Sequence, residues 1–199
     1  LRPAFCDIIV LFRARLDAER RSSPSQDSDF RLGDAINSWL AQVLKPPSYS
    51  AQAKVLTDKL IAHEIRAEKR CMRPDLTISK LLPSVGVPMV FATDHYFSND
   101  QIRELLDEVG LSKFFPTGYV SSDLGVTKRA GALYDHVLDS LSLSAAQLVH
   151  VGDRQVTDVE TPSAKGIVAR HYTSPSEERR QAWFAEAFDA RLAGNLDLH

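Results

Sequence analysis

The stretch LVHVGDRQVTDVE, residues 148–160, decides the fold. Leu148 to Val151 form an apolar run of strand length, Gly152 and Asp153 interrupt it, and helical spacing resumes near Asp158. Upstream, VPMVFAT (87–93) runs into the polar turn DHYFSND, and GYVSS (118–122) follows the helix QIRELLDEVG (101–110). The helix AGALYDHVLDSL (130–141), the strand LVHVG, a helix over 158–166 and the strand IVARHY (167–172) complete the series. Strands that alternate with helices through short connections predict an α/β fold, a Rossmann-like, doubly wound parallel sheet.

No convincing strand precedes residue 75. The segment AFCDIIVLFRARLDA (4–18) puts Phe5, Ile8, Ile9, Phe12 and Leu16 at helical spacing. In DAINSWLAQVL (34–44), Ile36, Trp39, Leu40 and Val43 share a face, with Asp34 as the expected N-cap. Pro46 and Pro47 close that helix, and a third helix over 51–71 is expected to bury Val55, Leu56, Leu60 and Ile65. The expected division is therefore an all-helical segment over 1–74 and an α/β core over 75–199. A last amphipathic helix from Ser174 to Leu192 opens on a capping box, Ser174 with Glu177.

Composition narrows the function. The 199 residues are 44% hydrophobic and 25% charged, enough apolar content for a core, so wholesale disorder is excluded. A net charge of −2 argues against a dedicated nucleic-acid binder. No apolar run has the length of a membrane helix. Two cysteines, Cys6 and Cys71, cannot build a disulfide framework and are expected to be small buried groups; a cytoplasmic setting is the expectation. There is no HExxH pattern and no zinc spacing. Trp39 and Trp183 are expected to pack between helices, and His150, alternating with strand residues, to pack or to hydrogen-bond.

In a doubly wound sheet the ligand site lies beyond the carboxyl ends of the strands. The polar residues there are Thr93 and Asp94 after the first strand, Lys128 before a helix, and Gly152, Asp153 and Asp158 around the third strand. A hydroxyl and strand-end N–H groups can hold phosphate oxygens, and a lysine can neutralise a phosphoryl group. Aspartates suit Mg²⁺, which prefers hard oxygen ligands and takes only one or two protein carboxylates. Gly152 is expected to allow a sharp turn that faces Asp153 into the site. Taken singly, Lys128 reads as a solvated lysine, Asp153 as a turn residue and Asp158 as a helix N-cap; their order favours one site.

The order TDHYFS, YVSSD, TKRAGALYDHVL, HVGDRQVTD resembles motifs two to four of the haloacid dehalogenase (HAD) superfamily, over about residues 75–172, in a capped bacterial branch often associated with glycosyltransferases. The resemblance implies a Mg²⁺-dependent hydrolase, a phosphatase acting on a small phosphorylated metabolite through an aspartyl-phosphate. Thr93, Asp94 and Lys128 would bind phosphate, Lys128 and Asp153 would serve catalysis, Asp153 and Asp158 would serve the metal, and residues 1–74 would be the cap. The motif that carries the nucleophilic aspartate is missing. Asp7 has only six residues before it, so LRPAFCDIIVLFRARL is aligned with the first cap helix and the nucleophile is expected upstream of Leu1, in a larger polypeptide. Dehalogenase chemistry on the same fold is disfavoured by the carboxylates of GDRQVTD. Response-regulator receivers lack a helical insert and place their acidic pair early. A catalytically inactive module that binds a phosphorylated ligand or a partner protein is the alternative.

Overall fold

A computed structural model of the chain describes residues 8–23, 25, 28–44 and 48–192. Phe5, Cys6, Asp7, Pro46 and Pro47, about which expectations were stated, lie outside the described residues. The fold is α/β with parallel strands and many helices. In order, the elements are α1 (Ile8–Ser22), α2 (Leu32–Val43), α3 (Ser48–Cys71), α4 (Leu76–Leu81), β1 (Val90–Thr93), α5 (Asn99–Glu108), β2 (Thr117–Val120), α6 (Ser121–Leu124), α7 (Ala132–Leu141), β3 (Val149–Gly152), α8 (Thr161–Ala164), β4 (Val168–His171) and α9 (Pro175–Leu192). The chain divides into two compact units, Leu1–Leu143 and Ser144–His199. No described helix is long and apolar enough to cross a membrane.

In the first unit β1 and β2 pair in parallel, Val90 opposite Thr117 and Thr93 opposite Val120. β1 starts later than the expected residue 87; Pro88 lacks the N–H that a ladder needs. β2 ends at Val120 because Ser121 and Ser122 open α6 instead. α5 starts at Asn99, two residues before the expected start, on a capping box formed by Ser98 and Gln101.

The helices of this unit pack on positions that only partly follow the sequence pattern. Leu32, Ile36 and Leu40, one turn apart on α2, are buried with Ile65, Phe97 and Leu105 in a single core. Each such side chain contributes about 1.5–3 kcal/mol by leaving water. That core includes residues on both sides of position 74. α2 begins at Leu32, and Asp34 lies in its first turn rather than capping it. The Leu32 N–H donates to the Tyr96 carbonyl at 3.0 Å, so a tertiary contact satisfies a donor that a cap would otherwise serve.

α1 differs more. Ile8, Ile9 and Phe12 are exposed, while Ala18 is fully buried. The helix meets α2 through its small Ala18 side, where Trp39 Nε1–H donates to the Leu11 carbonyl at 3.0 Å. The Arg15 guanidinium joins Glu19 at 2.7 Å and Glu64 of α3 at 2.9 Å on that side. On α3, Val55 is exposed and Thr57 is buried in its place, donating to Asn37 Oδ1 at 2.6 Å. Leu56 and Leu60 are partly buried and Ile65 is buried, as expected. Cys71 is exposed at the end of α3, contrary to the expectation of a buried thiol.

In the second unit β3 and β4 pair in parallel, Val149 opposite Val168 and Gly152 opposite His171. The helix expected over 158–166 begins earlier as a π-helix, Gln155–Glu160, and continues into α8. Asp158 therefore lies inside a helix rather than at its N-cap. On α9, Glu177 N–H donates to Ser174 Oγ at 3.1 Å, whereas the Glu177 carboxylate turns to Arg180, so only half of the expected box forms. Trp183 on this helix is exposed, not packed.

Candidate active site

The β1–β2 register sets the site in the first unit. Because Thr93 stands opposite Val120, the segments that follow both strands leave from the same carboxyl edge. Thr93 is half-buried, and among the described residues its hydroxyl has no hydrogen-bond partner. The next residue, Asp94, turns its carboxylate onto the backbone of Lys128, accepting from the Lys128 N–H at 2.8 Å. Lys128 is buried, at 8% exposure. Its loop is closed by a turn in which the Gly131 N–H donates to the Lys128 carbonyl at 2.9 Å. Gly131 takes φ of 80°, which a residue with a Cβ rarely adopts, and α7 starts from it. Asp94 and Lys128 are thus brought together, through carboxylate and amide, next to Thr93.

A second polar chain crosses the same edge. The His95 N–H donates to Ser121 Oγ at 2.8 Å, and the Ser121 hydroxyl donates to the Asp29 carboxylate. Ser121 is fully buried. Asp29 comes from the connection between α1 and α2, and its other oxygen accepts from the Phe30 N–H at 2.8 Å. Ser122 Oγ donates to the Phe97 carbonyl at 2.7 Å, and the Asp123 carboxylate accepts from the Asn99 N–H at 2.7 Å. Above these groups an open, polar cavity of about 440 Å³ is lined by Ser22, Asp29, Arg31, Asp34, Ser122 and Asp123. The helical segment and the strand edge therefore share this cavity's wall. Sequence reading missed Asp29 and Ser121 as site-building residues; the serine pair directly after a strand was the signal for Ser121, while nothing local marked Asp29.

His95 is half-buried against the Tyr96 and Phe97 rings, with centroids 4.5 and 4.8 Å away. Burial lowers its pKa from the ordinary 6.5, opposed by the Glu68 and Asp29 carboxylates. Its Nδ1 accepts from the Phe97 N–H at 3.1 Å, which fits a neutral ring. Burial likewise raises the pKa of Tyr96, with the neighbouring carboxylates Glu64 and Glu68 adding to it.

In the second unit Asp153 and Asp158 have different surroundings. Asp153 is exposed, and among the described residues its carboxylate makes no hydrogen bond or ion pair. Its backbone carbonyl accepts from His171 Nε2–H at 2.8 Å, which holds the turn to β4. Asp158 is 1% exposed. One carboxylate oxygen lies 3.2 Å from His150 Nε2, and the other accepts from the Arg154 N–H at 3.0 Å. Gly152 is needed here for close approach rather than for an unusual turn. A Cβ at this position would come 2.5 Å from Asp158 Cγ, and Gly152 is absent from the glycines with positive φ.

Thr93, Asp94 and Lys128 thus belong to the first unit, and Asp153 and Asp158 to the second. Among the described residues no group of three or more His, Cys, Asp and Glu is placed to hold a metal ion. The donor chemistry is nevertheless compatible with Mg²⁺, which retains waters and needs only one or two carboxylates. Asp153 has the open carboxylate such an ion would take, and Asp158 stands behind it with its oxygens on protein donors.

No family model and no curated protein matches the chain. Among solved structures, the chain is similar to a haloacid dehalogenase-like family hydrolase from Xanthomonas campestris. That likeness covers 88% of this chain and 77% of that chain, at 18% identity and a TM-score of 0.45.

Proposed function

We propose that the chain is the capped body of a HAD-like hydrolase, a Mg²⁺-dependent phosphatase acting on a small phosphorylated metabolite. The observation that carries this reading is the bond from Lys128 N–H to Asp94 beside Thr93, at the carboxyl edge of β1. It joins two of the motifs whose order resembles the superfamily.

On this reading the Thr93 hydroxyl and the Asp94 backbone hold phosphate oxygens. The Lys128 ammonium offsets negative charge on the attacking carboxylate and on the transferring phosphoryl group. In such a reaction an aspartate attacks phosphorus and forms an aspartyl-phosphate as the alcohol leaves, and water then hydrolyses that ester. Mg²⁺, when bound, neutralises phosphate charge. Asp153 would hold the ion and Asp158 would support that role. Residues 1–74 serve as the cap, and the polar cavity between Asp29 and Asp123 suits a hydroxyl-rich or charged leaving group.

The test has two parts. The 199-residue chain titrated with inorganic phosphate should bind it more tightly with Mg²⁺ present, and Lys128→Ala and Asp153→Asn should each weaken that binding. The same chain should not turn over an aryl phosphate. A polypeptide extended upstream to include a strand-end aspartate should, and EDTA should abolish the activity. Unchanged phosphate binding in Lys128→Ala would remove the basis of the proposal. Binding by the extended polypeptide without turnover would favour the inactive module.

A further inference from the structure

We infer that His150 is a positioning residue for the turn that presents Asp153, acting through Asp158; this rests on the hydrolase reading above. In a strand, alternate residues share a face, so His150 and Gly152 of β3 lie on the face opposite Val149 and Val151. Gly152 has no side chain, and the Asp158 carboxylate occupies the space its Cβ would fill. That places Asp158 within reach of His150, two residues back along the same face. The pair is well shielded, with side chains 14% and 2% exposed.

The direction of the bond follows from the charge on Asp158. With Asp158 as a carboxylate, which only accepts, the bond runs from His150 Nε2–H to Asp158 Oδ1, 3.2 Å apart. The other oxygen, Oδ2, accepts from the Arg154 N–H at 3.0 Å, and the Asp158 N–H donates to the Arg154 carbonyl at 2.8 Å. Asp158 is thus tied to the residue directly after Asp153. His150 holds one carboxylate oxygen, and the carboxylate holds the turn. The two aspartates divide the work: Asp153 is open to a ligand, and Asp158 braces the backbone that carries it. Removing the imidazole takes a donor from a buried carboxylate, which loosens its rotamer and the turn with it. Groups behind a metal ligand act in this way elsewhere, and losing one weakens metal affinity by about 10–100-fold.

Three measurements on the ¹⁵N-labelled 199-residue chain test this. Imidazole ¹⁵N shifts of the unsubstituted chain should show His150 as the Nε2–H tautomer, and Asp158→Asn should change them. Arg154 amide exchange should quicken in His150→Phe and return towards the original rate in His150→Gln, whose side-chain amide carries an N–H to the same reach. Mg²⁺ titration followed at the Asp153 amide should give about tenfold weaker binding for His150→Phe, again recovered by Gln. An Nδ1–H tautomer, or a Gln variant no better than Phe, overturns the assignment. A chain with the predicted tautomer and exchange pattern but no response to Mg²⁺ supports the brace and sinks the metal reading instead.

Discussion

The Asp94 carboxylate accepts a hydrogen bond from the Lys128 N–H at 2.8 Å across 34 residues of sequence. The residue after β1 thereby fixes the backbone of a loop that precedes α7. With Gly131 closing the turn on its other side, Lys128 is held from two directions by backbone contacts. Both contacts are made by the Lys128 backbone, so the position of this residue along the loop is set by its main chain.

Asp94→Ala should therefore act on Lys128. A charge-assisted hydrogen bond contributes roughly 1.5–3 kcal/mol, and its loss should lower the denaturation midpoint and weaken phosphate binding. Asp94→Asn retains a carbonyl acceptor and should lose less of both. Denaturant titration with a parallel phosphate titration checks the pair; equal effects from Ala and Asn would contradict the role given to the Oδ1 contact.

Gly152→Ala should be costly although the substitution is small. Its Cβ would lie 2.5 Å from Asp158 Cγ and 2.7 Å from Oδ2, so the buried carboxylate must move. Forcing atoms into packed space costs about 1–3 kcal/mol. Gly86→Ala is the control, since nothing lies within 4 Å of its Cβ and its φ is not positive. Denaturation midpoints should separate the two variants clearly.

Asp29→Ala removes the acceptor of a fully buried hydroxyl, that of Ser121. An unsatisfied buried donor costs about 1–3 kcal/mol. Ser121→Ala, which removes the donor itself, should compensate part of that loss in the double variant. A double-mutant cycle measures the coupling, and strict additivity would show that the two groups do not act together.

His95 should make stability depend on pH. Burial lowers its folded pKa below 6.5, so the unfolded chain binds the proton more readily. Its contribution is present above the unfolded value of about 6.5 and is lost as pH falls through that value towards the folded one. Unfolding free energy should thus decrease as pH drops from 7, and His95→Gln should flatten that part of the profile. An unchanged slope in the variant would assign the effect to other groups.

The α/β class was legible because alternation of short apolar runs with helical spacing depends on local pattern alone. That Thr93 ends a strand and Lys128 precedes a helix was legible for the same reason. The contacts were not. Nothing near Asp29 indicates that it meets Ser121, and nothing in HVGD indicates which group His150 bonds. Helix faces failed where a small or polar residue did the packing. Ala18 rather than Phe12 faces α2, and Thr57 rather than Val55 is buried, because each is chosen by its neighbour across the interface. The α5 start was a different kind of miss: Ser98 and Gln101 stood in the sequence at capping-box spacing.

The bond between Ser121 and Asp29 spans 92 residues. During synthesis the α1–α2 connection emerges long before β2, so this tie cannot close until the strand has left the ribosome. Contacts that join distant parts of a chain form late because a long loop must first be ordered. The connection that carries Asp29 therefore completes its anchorage only when the strand edge is present, and a polypeptide ending before Ser121 would lack this part of the cavity wall.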